Sequence, residues 1–161
     1  MLHRTVINTG NCAKTAFTLA EMLIAVLFLG IFAYIVVPRM QTSIIERYKS
    51  KSVAQKLVTD LRLVRNLAIT EAAGNTAGFA LQMAGTSPYS GYTIINLSNG
   101  QTVAAHTIDT KISCGGGALF KFGPIGNLLA GSDTQLVISS AGKTSTIGIT
   151  AATGAVQCVE N

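Results

Sequence analysis

The sequence predicts an α+β protein, in which a long N-terminal α-helix, half membrane-like and half amphipathic, packs on an antiparallel β-sheet head. Three observations predict this. Met22 to Val37 contains no charged, amide or aliphatic hydroxyl residue, and Tyr34 is its only polar tip. The sequence that follows keeps helical character but gathers its apolar residues on one face. From Ala77 the pattern changes to short segments rich in Ile, Val, Thr, Phe and Tyr, separated by Gly, Ser, Asn and Pro. A chain of 161 residues allows one modest domain beside such a helix. Its mean hydropathy of +0.44 is high because of the apolar run.

Residues 1–16 are polar, with basic positions at Arg4 and Lys14. Under the positive-inside rule they are expected to stay cytoplasmic. Phe17 to Val37 is 21 residues, the length a helix needs to cross a hydrocarbon core. A secretory signal would carry a small-residue cleavage site after its apolar core. Here the run ends in Val36-Val37-Pro38-Arg39 and continues into helical sequence, so removal of the anchor is not expected. Glu21 lies in the first turn, where a carboxylate at membrane depth is costly and calls for a partner.

Pro38 lacks a backbone N–H and predicts a helix kink rather than an end, because good helix formers resume after it. Over residues 39–73, Ile44, Tyr48, Leu57, Leu61, Val64 and Ala68 recur at helical spacing and predict one buried stripe. Ala72-Ala73-Gly74-Asn75 supplies the stop. In the head, residues 74–161, strands are expected at 78–83, 92–97, 102–108, 118–122, 135–139, 144–150 and 155–159. Alternation in Leu119-Phe120-Lys121-Phe122 and in Gln135 to Ser139 predicts one apolar face. Turns fall at Ser98-Asn99-Gly100, Ala141-Gly142-Lys143 and Thr153-Gly154. Packing such a sheet on the amphipathic half-helix gives each the burial it lacks alone.

The formal charge of +5 is unevenly placed. Seven basic residues face three acids from Arg39 to Glu71, whereas three face three from Ala72 onward. The excess therefore sits on the stalk, near lipid head groups or neighbouring stalks, and a neutral head is a poor nucleic-acid binder. No catalytic residue is predicted. Asp109 and Lys111 read as solvated charges flanking a turn, and no nucleophile elbow surrounds Ser139-Ser140. Gly115-Gly116-Gly117 lacks the Lys-Ser/Thr of a phosphate loop and reads as a flexible turn. Neither His3 nor His106 stands at ligand spacing from a cysteine pair, so no metal and no cofactor are expected. Cys12 precedes the apolar run. If the head is exported, Cys114 and Cys158 are a candidate disulfide, the alternative being two buried free thiols.

The segment Ala16-Phe17-Thr18-Leu19-Ala20-Glu21, with Lys14 before it and the apolar run and Pro38 after it, resembles the processing motif of type IV pilins and type II secretion pseudopilins. The resemblance implies a leader, 1–16, cut by a prepilin peptidase between Ala16 and Phe17, and N-methylation of Phe17. It implies a transmembrane and assembly segment, 17–38, with Glu21 as the assembly residue. The new Phe17 ammonium and the Glu21 carboxylate would attract strongly in an apolar setting, and paired between subunits they would fix helix register. The family nearly always has Gly where Ala16 stands.

Ala118 to Gly126, Leu136-Val137-Ile138, Thr146 to Ile149 and Gly154-Ala155-Val156 are similar to the strand pattern of the GspH and FimT group of minor pseudopilins and minor pilins. The implied location is the bacterial inner membrane, N-terminus cytoplasmic and head periplasmic, and then a pilus or pseudopilus. The implied partners are the peptidase, other pilin or pseudopilin subunits and inner membrane lipid. The alternative is a DNA-binding minor pilin of an uptake pilus, as some FimT-like proteins are thought to be through C-terminal basic residues. Here Lys143 is the only basic residue after Lys121, so that carry-over fails and nucleic acid is not an expected partner.

Overall fold

The computed structural model describes residues 18–140 and 142–160, the side chains of residues 37–45 excepted. The chain divides into two compact units, Met1–Met40 and Gln41–Asn161. Helix α1 (Leu19–Thr70) begins in the first and ends in the second. Its helical backbone continues through Pro38, which therefore does not terminate it.

In the first unit, Leu19–Val36 has a mean hydropathy of 2.5 and buries none of its residues within the chain. It is apolar all round, and a helix of that kind needs cover on every side. This segment is long and apolar enough to cross a membrane.

In the second unit α1 is one-sided. Ala54, Leu57, Val58, Leu61, Val64 and Ala68 are buried, at steps of one, three and four residues. Tyr48, expected on this stripe, is instead 73% exposed. Stepping back from Leu57 by three and four gives Ala54 and then Ser50, which is buried. Tyr48 sits two residues from Ser50 and so about 200° around the helix. Ile44 is among the residues whose side chains are not described.

Beyond Thr70 the N–H groups of Gly74 and Asn75 donate to Glu71 O at 3.0 and 2.8 Å, closing the predicted stop. Asn75 then fixes the entry to the sheets: its Oδ1 accepts from Gly78 N–H and its Nδ2 donates to Gly78 O, both at 2.9 Å. Gly78 has φ +82°, and a Cβ there would stand 2.0 Å from Phe122 O, so this corner demands glycine twice over.

The head has two antiparallel four-stranded sheets where one was expected. In the first, β1 (Phe79–Ala84), β2 (Gly91–Asn96), β3 (Thr102–Thr107) and β5 (Leu119–Phe122) lie in the order β3-β2-β1-β5. In the second, β4 (Ser113–Gly116), β6 (Gln135–Ser140), β7 (Lys143–Ile149) and β8 (Val156–Glu160) lie in the order β4-β6-β7-β8. The sheets meet between β4 and β5, where Gly117 N–H donates to Gln135 O and Met83 N–H to Ala118 O.

Cross-strand register aligns Phe120, Leu81 and Ile94 in one inner row and Phe122 with Phe79 in the next. Leu136, Ile147 and Cys158 form a row in the second sheet. The apolar members of these rows other than Cys158 are buried and join the α1 stripe in one core. Strand β4 corrects the reading of the triple glycine as a flexible turn: Cys114 pairs with Ile138, Gly115 with Val137 and Gly116 with Leu136.

Candidate functional site

At the start of α1, Thr18 Oγ1 accepts the Glu21 backbone N–H at 3.3 Å. Thr18-Leu19-Ala20-Glu21 has the spacing of a capping box, so local chemistry accounts for the helix beginning here. Glu21 is exposed, and among the described residues no cation pairs with its carboxylate. Ala16 and Phe17, the expected cleavage junction and methylation site, lie outside the described residues with Cys12 and the leader. Pro38 lies within α1, and its side chain is not described.

The stalk cations are placed differently from the sequence expectation, because several turn to the head rather than away from it. Lys49 pairs with Asp109 and Lys51 with Glu160, both at 3.1 Å. Arg62 Nη2 donates to Val156 O at 3.2 Å and Arg65 Nε to Gly126 O at 3.1 Å. Asp109, read as a lone solvated charge, accepts the Lys111 N–H as well as Lys49 Nζ. These two donors, the backbone one first, hold its carboxyl below the usual aspartate range. The pairs are half-exposed, so they orient the helix on the head more than they stabilise it.

A polar cluster missed by sequence reasoning sits where α1 crosses the first sheet. Asp60 is buried and its Oδ2 accepts a short hydrogen bond from the Tyr92 hydroxyl. His106 Nε2 lies 3.7 Å from the same oxygen, and Lys56 Nζ is 3.1 Å from His106 Nδ1. A lysine donor at Nδ1 places the neutral ring's proton on Nε2, the side facing Asp60. Burial first, and then the Asp60 carboxylate, push the Tyr92 hydroxyl far above its ordinary value. The signal was available: Asp60 occupies position i+3 from Leu57 and i−4 from Val64, an acid inside the apolar stripe. The cluster ties the helix to the sheet through Asp60 and Tyr92.

The expected Cys114–Cys158 disulfide is absent, and both thiols are free. Cys114 lies on β4 and Cys158 on β8, the two outer strands of one sheet. Three strand spacings put them on the order of 14 Å apart, whereas bridged cysteines need Cα atoms within about 7 Å. Burial pushes the Cys114 thiol up to about 11. Cys158 is exposed at the seam between α1 and β8, beside Val58, Thr59 and Arg62. Among the described residues no group of three or more His, Cys, Asp or Glu side chains is arranged to hold a metal ion.

Comparison with protein-family models, curated proteins and solved structures found no match to this chain.

Proposed function

We propose that this chain is a minor pilin or pseudopilin subunit of a type IV pilus or type II secretion pseudopilus, and not an enzyme. It is made as a precursor in the bacterial inner membrane, with residues 1–16 cytoplasmic and the β head periplasmic. A prepilin peptidase cuts between Ala16 and Phe17, Phe17 is N-methylated, and the helix then leaves lipid for a bundle of other subunits' helices. The observation that carries this reading is the unpartnered N-terminal part of α1. Eighteen residues, Leu19–Val36, are exposed and covered by none of the described residues, and all but a few are apolar, the one acid among them being Glu21 in the first turn.

Lipid satisfies such a surface at first, and helices of like character satisfy it later. In lipid the Glu21 carboxylate is costly; against the terminal ammonium of a neighbouring subunit it becomes half of an ion pair that selects register. The second part of α1, whose apolar stripe is spent on the head, is left to carry that head rather than to join a bundle on every side.

Charge counting does not itself choose the orientation, since Arg4 and Lys14 precede the apolar segment while Arg39, Arg47, Lys49 and Lys51 follow it closely. The orientation follows from the cleavage motif, whose peptidase acts on the cytoplasmic side. Support for the structural role over DNA capture comes from the stalk cations, of which Lys49, Arg62 and Arg65 are engaged with the head.

N-terminal sequencing of the mature protein from its host tests the reading. The expected first residue is Phe17, methylated. A retained Met1, or a start downstream of Pro38, overturns it. In the same host, Glu21→Ala is expected to leave membrane insertion intact and to abolish incorporation into filaments.

A further inference from the structure

The inner face of the second sheet changes character at one end. Along β7 and β8, Ile147 and Ile149 with Val156 point into the core. Continuing the same alternation toward the β6–β7 turn brings Ser145 and Lys143 onto that face, and Ser145 is paired with Glu160. Three positions that binary patterning would fill with apolar residues are thus hydroxyl, cation and carboxylate. Opposite them stand Arg47, Ser50 and Lys51 of α1, and the two sets enclose a pocket of about 370 Å³. A departure from patterning of this kind marks a place where something other than packing is served.

The pocket's electrostatics are one-sided. Arg47, Lys51 and Lys143 line it against a single carboxylate, Glu160, which is already bonded to Lys51 at 3.1 Å. Thr144 and Ser145 add hydroxyl donors, and the planar fork of Arg47 suits a phosphate's oxygens. Lys51 and Glu160 are both about half-exposed, so their bond is weak enough to yield to a stronger anion. The three cations converge on one pocket, whereas binding along a nucleic-acid backbone needs a groove with cations repeated along it. Ten residues, 37–46, lie between Val36 and Arg47, so the pocket is joined to the apolar segment by a short stretch of chain.

We propose that this pocket binds the phosphate headgroup of an anionic phospholipid, seating the head on the leaflet from which the apolar helix emerges. The inference rests on the anchored reading above and adds to it a lipid preference located in the folded head. Release of that headgroup would accompany extraction of the subunit into a filament.

The test uses the full chain purified in detergent, offered equal amounts of phosphatidylglycerol and phosphatidylcholine, with bound lipids counted by native mass spectrometry. One cation near an anionic lipid is worth roughly a fivefold preference, so phosphatidylglycerol should be retained over phosphatidylcholine by at least that factor. Arg47→Gln/Lys143→Gln, both exposed positions, should fold normally and bring the ratio close to one. Lys111→Gln, outside the pocket, should not change it.

Equal retention of the two lipids by the wild type, or a preference that survives the double substitution, overturns the proposal. Displacement of the lipid by millimolar inorganic phosphate or by short duplex DNA overturns it too, assigning the pocket to a soluble anion or to nucleic acid. Flotation of the chain with phosphatidylcholine vesicles is scored separately. A chain that floats without lipid preference sinks this inference alone, and one that prefers phosphatidylglycerol but does not float sinks the anchor.

Discussion

Tyr92→Phe removes one oxygen atom and should be among the more damaging conservative substitutions in the head. The hydroxyl donates to Asp60 Oδ2 at a position where the aspartate is 9% exposed. Hydrogen bonds to charged groups contribute about 1.5–3 kcal/mol net, and a buried carboxylate stripped of its donor sits at the upper end of that range. His106 Nε2, 3.7 Å away, offers partial relief but is beyond hydrogen-bond length. The expected cost is therefore about 2–3 kcal/mol.

With no tryptophan in the chain, the measurement is urea unfolding of the full chain in detergent, followed by circular dichroism in the strand region. For an m-value of about 1–3 kcal/mol/M the midpoint should fall by roughly 0.7–3 M with m unchanged. The decisive comparison is the double variant Asp60→Leu/Tyr92→Phe. Removing both polar partners leaves an apolar pair within the stripe, so the double variant should be more stable than Tyr92→Phe alone. A midpoint shift under about 0.3 M for Tyr92→Phe, or a double variant less stable than either single one, would show that the cluster is not the tie described.

Two further outcomes follow from the buried hydroxyl and thiol. Tyr92 and Cys114 both keep their protons longer in the folded chain than in the unfolded one, so the unfolded state binds fewer protons at high pH and stability falls as pH rises. Cys114, pushed up to about 11, should cost on the order of 2–3 kcal/mol between pH 9 and 11. A flat stability profile by urea titration from pH 8 to 10.5 would refute this. In a Cys12→Ser background, an alkylating reagent at pH 8 should modify Cys158 in the native state and Cys114 only after unfolding, as read by peptide mass spectrometry. A Cys114–Cys158 bridged peptide from oxidised native protein would contradict the strand order.

What the sequence made legible is what local periodicity encodes. The stripe Leu57, Leu61, Val64 and Ala68 is fully buried, and the seven expected strands form within a residue of the expected ends. Strand β4 was hidden because Ser113-Cys114-Gly115-Gly116 carries almost no strand propensity. It is a strand because the neighbouring chain comes close: a Cβ on Gly116 would stand 3.1 Å from Gln135 O, and one on Gly117 2.3 Å from Asp133 Cβ. Glycine there is a requirement of tertiary approach, which no local pattern records.

Strand pairing escaped the sequence for the same reason. That β1 pairs with β5 and β4 with β6 depends on contacts distant along the chain, and this pairing puts Cys114 and Cys158 on opposite edges. Side-chain partners were the least legible layer. A basic run on a helix reads as facing lipid until a head folds beside it that supplies Asp109, Glu160 and the carbonyls of Gly126 and Val156.

The two polar departures from the apolar pattern, Asp60 within the helix stripe and Lys143-Ser145-Glu160 on the inner sheet face, therefore belong to different classes although both break the same rule. Asp60 has Tyr92 as its donor with His106 close by, and no buried polar side-chain atom among the described residues lacks a hydrogen bond. Its neighbours satisfy it within the fold, and it holds helix to sheet. The Lys143 end has an excess of cations and an open mouth, so its charge is answered only in part by the chain itself. A polar group satisfied inside a fold specifies the fold, and one left with capacity to spare points to something outside it. By that criterion the pocket above β7 and β8, rather than the helix–sheet seam, is where a partner is to be sought.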